Sequence, residues 1–193
     1  MRYMQKTITI ILVVITPLLL RAQVKKKALH WFNATQWGWL MGEKQHTYSI
    51  QTVTGVLYKK WSAGIGVAFD TYGYRSLPVF ADGAYTLAGN KSPLQVYADA
   101  GLNIPLSSKN LPHKYPDGDV WNTLHASFYG ELGLRYQIAL SRGFCIIPGI
   151  GFNYKTFKYT ETAYTGDVTV PTLNSHYTYR YSKYVLRIGF AIR

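Results

Sequence analysis

Hydrophobic and polar residues alternate with a period of two along most of the chain. The pattern is sharpest over 124–138, where every second residue is apolar, aromatic or glycine and the residues between are mostly polar. Such alternation is typical of a β-strand with two unlike faces, since successive side chains point to opposite sides. Clusters of Gly, Asn, Asp, Pro and Ser separate the runs. The eight predicted strands are 31–42, 46–58, 61–73, 76–88, 93–106, 123–139, 144–160 and 177–192.

The alternation fits both a soluble barrel with an apolar interior and a membrane barrel with an apolar exterior. The predicted strands have roughly a dozen residues, closer to the about 9–11 that cross a bilayer than to the about 5–6 of globular strands. Short connections at 59–60, 88–92 and 141–143 lie on one side, and long ones at 107–122 and 162–176 lie on the other. This asymmetry favours a membrane barrel with short turns in the periplasm.

In a membrane barrel the apolar faces of the sixth and eighth strands, with Leu132 and Ile188, face lipid. The inward positions Gly133 and Ala191 should then tolerate a polar change better. The first strand, which carries Trp37 and Trp39, does not declare its faces. Aromatic residues at strand ends predict two interfacial girdles. Their members are Tyr58 and Trp61 at one end, and Tyr72, Tyr74, Tyr159, Tyr177 and Tyr179 at the other.

The first residues have the layout of a cleaved secretory signal. Arg2 and Lys6 precede an apolar run over 8–20 that ends just before Ala22. Pro17 interrupts this run, which is shorter than the roughly 20 residues of a membrane-spanning helix. We therefore predict a signal peptide at 1–22, a periplasmic N-terminal segment at 23–30 and a barrel at 31–193.

The formal net charge is +12, with the excess scattered along the chain and in 25–27. Attraction to anionic lipid headgroups explains this charge more simply than nucleic acid does, since no nucleic-acid motif accompanies it. Cys145 is the only cysteine, so an internal disulfide is excluded. No Gly-rich phosphate loop or metal-ligand spacing is present, and we expect no cofactor and no metal.

With its signal, strand count and loop asymmetry, the chain resembles the small eight-stranded outer-membrane proteins of the OmpA, OmpX and OmpW type. The resemblance implies an all-β, eight-stranded antiparallel up-and-down transmembrane β-barrel in the outer membrane. It also implies insertion by the barrel-insertion machinery and contact with outer-membrane lipid and lipopolysaccharide. Arg193 departs from the family, which ends on Phe. The residues that partly match the family's C-terminal assembly signal are Arg187, Gly189, Phe190 and Ile192.

Charged residues on the inward parity predict a network inside the barrel. Asp82 and Asp99 each lie about six residues from the turn at 89–90, so we expect them to face each other. Two like charges need cations, and an unpaired buried carboxylate is strongly disfavoured. The other predicted members of the network are Glu131, Arg135, Lys155 and Arg187.

Eight strands enclose only enough space for side chains to fill, and Phe80, Tyr97 and Tyr129 fall on the inward parity. We predict that the barrel is no general pore and that recognition falls to the loops at 107–122 and 162–176. The candidate residues in these loops are Lys109, His113, Lys114, Tyr115, Trp121, Tyr164, Asp167 and His176.

One motif suggests chemistry. His125-Ala-Ser127 with Glu131 downstream is similar to the acyl-transfer triad of an outer-membrane lipid A deacylase, although Phe128 stands where that family has Asn. We expect instead a non-enzymatic outer-membrane barrel that serves in envelope integrity, surface interaction or passage of small apolar compounds. The deacylase and a soluble periplasmic lipocalin-like binder are the alternatives.

Overall fold

The computed structural model describes residues 29–42, 46–72, 75–87, 93–106, 120–141, 143–164 and 171–193. Every regular element in these ranges is a β-strand. The predicted signal peptide lies outside the described residues, and the barrel begins at Leu29. The segments are β1 (Leu29–Met41), β2 (Thr47–Tyr58), β3 (Trp61–Asp70), β4 (Ser76–Thr86), β5 (Leu94–Pro105), β6 (Val120–His125), β7 (Ser127–Tyr136), β8 (Ile138–Ser141), β9 (Phe144–Ile146), β10 (Gly149–Tyr164) and β11 (Pro171–Ile192).

The segments form one closed sheet of eight antiparallel barrel strands. β6, β7 and β8 follow one another as the sixth strand, interrupted at Ala126 and Gln137. β9 and β10 form the seventh strand and β11 the eighth. β1 pairs with β2 on one side and with β11 on the other, so that Trp37 lies between Ile50 and Ile188 and the barrel is closed. The predicted fold class is confirmed.

Alternate side chains point outward and form an apolar belt. Leu132 and Ile188 are 59% and 62% exposed, whereas Glu131 and Arg187 beside them are buried. An apolar surface that encircles a barrel is unfavourable in water and favourable against acyl chains. The predicted lipid-facing sets are therefore confirmed for the eighth strand and for the sixth strand from Phe128 onward, whereas Leu124 packs against Tyr159 on the inner face.

The structure settles the faces of the first strand. Trp37 and Trp39 point outward, and Gln36 and Leu40, which flank them in the sequence, are buried in the lumen. The sequence of this strand did not reveal its faces because both faces carry apolar side chains, tryptophan on one and leucine on the other. Pairing with β2 and β11 decides which set faces lipid.

The tight turns mark the periplasmic end. Tyr58 is opposite Trp61, and the two-residue turn between them has Lys59 at a φ of 55°. Arg193 donates its backbone N–H to the carbonyl of Gly143 at 3.0 Å, so the C-terminus lies beside the turn between β8 and β9. Outer-membrane barrels keep such short turns in the periplasm, and the opposite rim is the outer one.

Three strands continue beyond this outer rim. The pairing of β11 with β1 ends at Tyr184, but its pairing with β10 continues to Pro171. β6 pairs with the end of β10, where Val120 is opposite Ala163. We name this three-stranded part the outer extension: β6, residues 156–164 of β10 and residues 171–182 of β11.

The outer extension corrects the predicted loop boundaries. The connections were predicted at 107–122 and 162–176. In the structure, residues 120–122, 162–164 and 171–176 of these connections belong to strands. These polar segments lack apolar alternation, which is why the sequence did not mark them as strands. Backbone pairing between β6, β10 and β11 holds them in place as strands.

Glycines make room for large side chains in the lumen. A Cβ added at Gly133 would lie 2.8 Å from Cε1 of Tyr97 and closer still to the carbonyl oxygen of Ile150. Ala191 is buried in an apolar cluster with Phe32 and Ile147. Gly133 therefore has no space for an added polar group, contrary to expectation, whereas the tolerance expected at Ala191, which lines a small pocket, stays a prediction.

Candidate functional site: the charged lumen and the outer extension

Arg135 forms a bidentate ion pair with Asp82 inside the barrel. Its Nη1 and Nη2 donate to Oδ2 and Oδ1 of Asp82 at 2.9 and 3.2 Å. Nε donates to Oε1 of Gln95 at 2.9 Å, and the guanidinium lies 5.3 Å from the ring centre of Tyr97. Both charged side chains are buried, so this pair is shielded from solvent screening.

Asp99 is the least satisfied charged residue of the described lumen. It lies directly opposite Asp82 on β4 and Glu131 on β7. Both of its carboxylate oxygens are buried with no hydrogen-bond partner in the described structure. Three acidic side chains thus share one level of the barrel, and Arg135 and Arg187 provide the compensating charge there.

Glu131 is held by a second arginine. Nε and Nη2 of Arg187 donate to Oε1 and Oε2 of Glu131 at 2.6 and 2.5 Å. The hydroxyl of Tyr97 donates to Oε1 at 2.7 Å, and Nδ2 of Asn153 donates to Oε2 at 2.9 Å. Each carboxylate oxygen therefore has at least two donors, as a buried carboxylate requires.

Lys155 pairs with a residue that the sequence did not single out. Its Nζ lies 2.5 Å from Oδ1 of Asp70 and 3.1 Å from Oγ of Ser76, and these two side chains also bond each other at 3.0 Å. β10 and β3 lie on opposite sides of the barrel, so this bond crosses the lumen. The inward parity of the predicted third strand, which included Asp70, was the available signal.

The lumen is filled at the level of these ion pairs. Phe80, Tyr97 and Tyr129 all point inward and are 3%, 3% and 1% exposed. Below this level a small pocket of about 10 Å³ lies at the periplasmic mouth, between Phe32 and Leu57 among others. The side chains of an eight-stranded barrel are expected to occupy its interior in this way.

The inner face of the outer extension carries a row of tyrosines that continues to Tyr72 after β3. We name this row the tyrosine ladder: Tyr72, Tyr159, Tyr177, Tyr179 and Tyr181. The ring of Tyr159 stacks with those of Tyr177 and Tyr179, with centroids 4.9 and 5.9 Å apart. Tyr181 continues the row towards Tyr72 at 5.1 Å. Tyr72 and Tyr159 are buried, so placing them in an interfacial girdle is wrong, because their strand parity turns them towards the barrel axis.

The predicted acyl-transfer triad is not assembled. Lys155 is opposite Tyr129 but Lys158 is opposite His125, so the sixth strand has one extra residue at Ala126. This residue turns His125 outward to an exposed position, while Ser127 points inward and donates to the carbonyl of Thr156. Strict alternation over 123–139 would place His125 and Ser127 on the same face as Glu131, and the extra residue at Ala126 separates them.

The predicted loop residues divide into two groups. Trp121, Tyr164 and His176 lie on β6, β10 and β11, so they belong to the outer extension and not to loops. The backbone of Trp121 pairs with Thr162, and His176 pairs with Thr160. The candidates that lie outside the described residues are Lys109, His113, Lys114, Tyr115 and Asp167.

Within the described ranges, no three side chains among His, Cys, Asp and Glu are grouped so that they could hold a metal ion. The same part of the chain contains no helix of the length and apolarity needed to cross a membrane.

No protein-family model and no curated protein matches the sequence. Among solved structures, the outer membrane protein OprG from Pseudomonas aeruginosa is similar with a TM-score of 0.55 and 12% identity, over 86% of this chain and 96% of that one. The outer membrane protein AlkL, solved in lipid bilayers, has a TM-score of 0.47 and 9% identity, over 89% and 92% of the two chains. The closed barrel, its outward apolar belt and the likeness to OprG agree: this chain is an outer-membrane β-barrel with the small eight-stranded fold that its sequence resembles.

Proposed function

We propose that this protein is a non-enzymatic outer-membrane barrel that binds small apolar compounds at its outer mouth and passes them into the membrane. The observation that carries the proposal is the tyrosine ladder, which lies above a filled and charged lumen. A stack of phenol rings offers flat apolar surface to a ligand.

Two rings of the ladder are accessible to a ligand. Tyr179 is 36% exposed and Tyr177 is half-buried, whereas Tyr159 behind them is buried. Tyr159 therefore supports the other two rings in a fixed stack. An aromatic ligand that covers this surface would add a further offset-stacked ring, worth about 0.5–1.5 kcal/mol per contact beyond the area it buries.

The filled lumen directs an apolar compound away from the barrel axis. To continue along that axis, it would have to separate the buried pairs of Lys155 with Asp70 and of Arg135 with Asp82. Tyr181 is only three residues from the lipid-facing Tyr184, a distance of about 10 Å along the strand. The acyl chains are thus the nearest favourable destination for an apolar molecule.

The proposal is tested with protein in lipid nanodiscs, titrated with naphthalene and followed by NMR, with empty nanodiscs as background. Tyr177→Ser combined with Tyr179→Ser should weaken binding at least about fivefold, given the stacking energy of two rings. Tyr58→Ser is the matched control, since Tyr58 is exposed at the periplasmic end. Unchanged binding in the double variant would exclude the tyrosine ladder as the site.

Conductance provides an independent check. Purified protein in planar bilayers should give no large, stable current steps, and cells that carry it should take up naphthalene faster without taking up a hydrophilic sugar faster. Stable steps that disappear on heating would show an aqueous path and contradict the filled lumen.

A further inference from the structure

The outward face of the outer extension carries a cluster of basic side chains. Lys158 on β10 is directly opposite His125 on β6, and Thr156 and Thr160 beside it are opposite Arg180 and His176 on β11. Directly opposed Cβ atoms lie about 4.5–5.5 Å apart and diagonal ones about 7–8 Å, within reach of long side chains. All four basic side chains are exposed. We name them the basic patch: His125, Lys158, His176 and Arg180.

No described acidic residue shares this face. Glu161, the nearest acidic residue along β10, is buried on the inner face. None of the ion pairs among the described residues includes Lys158 or Arg180. The other described side chains on the outward face are uncharged, namely Thr123, Tyr154, Thr156, Thr160, Thr178 and Ser182. Lys158 and Arg180 are diagonal neighbours across β10 and β11, so they concentrate positive charge on this face, where an anion would bind favourably.

The two imidazole rings are held in place by one hydroxyl. Oγ1 of Thr160 lies 3.0 Å from Nε2 of His125 and 3.0 Å from Nδ1 of His176. Because a hydroxyl has a single proton, at least one of the rings must donate to it. The ring that accepts the Thr160 proton has its own N–H on the other nitrogen, which is Nδ1 of His125 or Nε2 of His176, and this N–H can donate to a ligand.

The depth of the basic patch identifies the kind of anion. Phe152 and Tyr184 are exposed in the apolar belt, opposite each other on β10 and β11. Arg180 is four residues from Tyr184, and Lys158 is six from Phe152. At about 3.3 Å per residue and a tilt of about 40°, these spacings place the patch about 10–15 Å above the belt residues. That is the level of the lipid headgroups, on a surface that faces the surrounding lipid.

We infer that the basic patch binds the phosphate groups of the phosphorylated glycolipid in the outer leaflet. Arg180 offers a planar fork suited to two phosphate oxygens, Lys158 offers a compact charge, and the histidine ring that accepts the Thr160 hydroxyl proton adds one ring N–H donor. Such binding would hold the outer extension against the membrane surface. The inference is independent of the proposed binding of apolar compounds, which uses the opposite face.

The test measures binding of purified lipopolysaccharide to the protein in detergent, with enzymatically dephosphorylated lipopolysaccharide and inorganic phosphate as separate probes. Lys158→Gln combined with Arg180→Gln should weaken binding of the phosphorylated glycolipid about tenfold or more, since two charge-assisted bonds are lost. The matched control removes the same charge at the periplasmic turn, with Lys59→Gln and Lys60→Gln. It should bind like the parent.

A gel shift between unheated and heated samples verifies that each variant is folded, and Lys158→Gln alone serves if the double variant is not. Dephosphorylated glycolipid should bind the parent and the double variant equally weakly. Equal losses in the double variant and the periplasmic control would overturn the inference, since they would reflect net charge alone. Competition by inorganic phosphate at concentrations equal to the glycolipid would overturn the assignment to a lipid.

Discussion

Replacing Arg135 by leucine removes the cation that faces Asp82 and leaves two opposed carboxylates in the lumen. Arg135 donates two hydrogen bonds to Asp82 and one each to Gln95 and Ser62. Asp99, directly opposite Asp82, has no hydrogen-bond partner in the described structure that could offset the loss. The substitution therefore leaves acidic side chains without a compensating cation in a filled, desolvated lumen.

Removing one partner of a buried ion pair costs about 3–5 kcal/mol in free energy of unfolding. With an m-value of about 2 kcal/mol per molar urea, the unfolding midpoint should fall by about 1.5–2.5 M. The assay is urea unfolding of the barrel in lipid vesicles, read by tryptophan fluorescence and by the gel shift of unheated samples. Arg75→Leu, at an exposed position, should change the free energy by less than about 0.5 kcal/mol.

A double-mutant cycle separates the ion pair from general damage to packing. Adding Asp82→Asn to Arg135→Leu removes the stranded charge, so the double variant should lose clearly less stability than the sum of the two single changes. Residues in one buried network commonly show coupling of about 0.5–3 kcal/mol. Additivity within about 0.3 kcal/mol, or an unchanged midpoint for Arg135→Leu, would refute the network as a source of stability.

Three further predictions follow from the same packing. Leu132→Arg should destabilise the barrel by about 2–4 kcal/mol in vesicles because Leu132 faces lipid, while Leu132→Phe should be close to neutral; equal penalties would contradict the assigned face. Gly133→Ala should lower the urea midpoint and Gly83→Ala should not, because an added Cβ meets Tyr97 at 2.8 Å in the first case and nothing closer than 4.0 Å in the second. Cys145 is buried, so a maleimide should label it only after unfolding, and rapid labelling of the folded barrel would show that the periplasmic end opens.

The alternation of side chains along the strands was enough to predict many of the residues that face the lumen. Because successive side chains of a strand alternate, parity and an approximate count from the turn at 89–90 predicted that Asp82 and Asp99 lie nearly opposite each other, and the pairing of β4 with β5 places them directly opposite. The same counting turned Glu131 and Arg187 inward, where the structure has them. Counting fails where a strand has an extra residue, as at Ala126, since one insertion reverses every face beyond it.

The sequence by itself therefore determined which side chains enter the lumen wherever a strand alternates clearly and runs without interruption; the first strand, with tryptophan and leucine on opposite faces, lacks that clear alternation. Only the tertiary structure decided the partners of these side chains. Lys155 reaches Asp70 on the opposite wall, and this choice depends on strand order and stagger around the closed barrel, which leave no local pattern in the chain. The outer extension was likewise decided by pairing, because β6, β10 and β11 hold their polar outer parts as strands through cross-strand bonds between residues far apart in sequence.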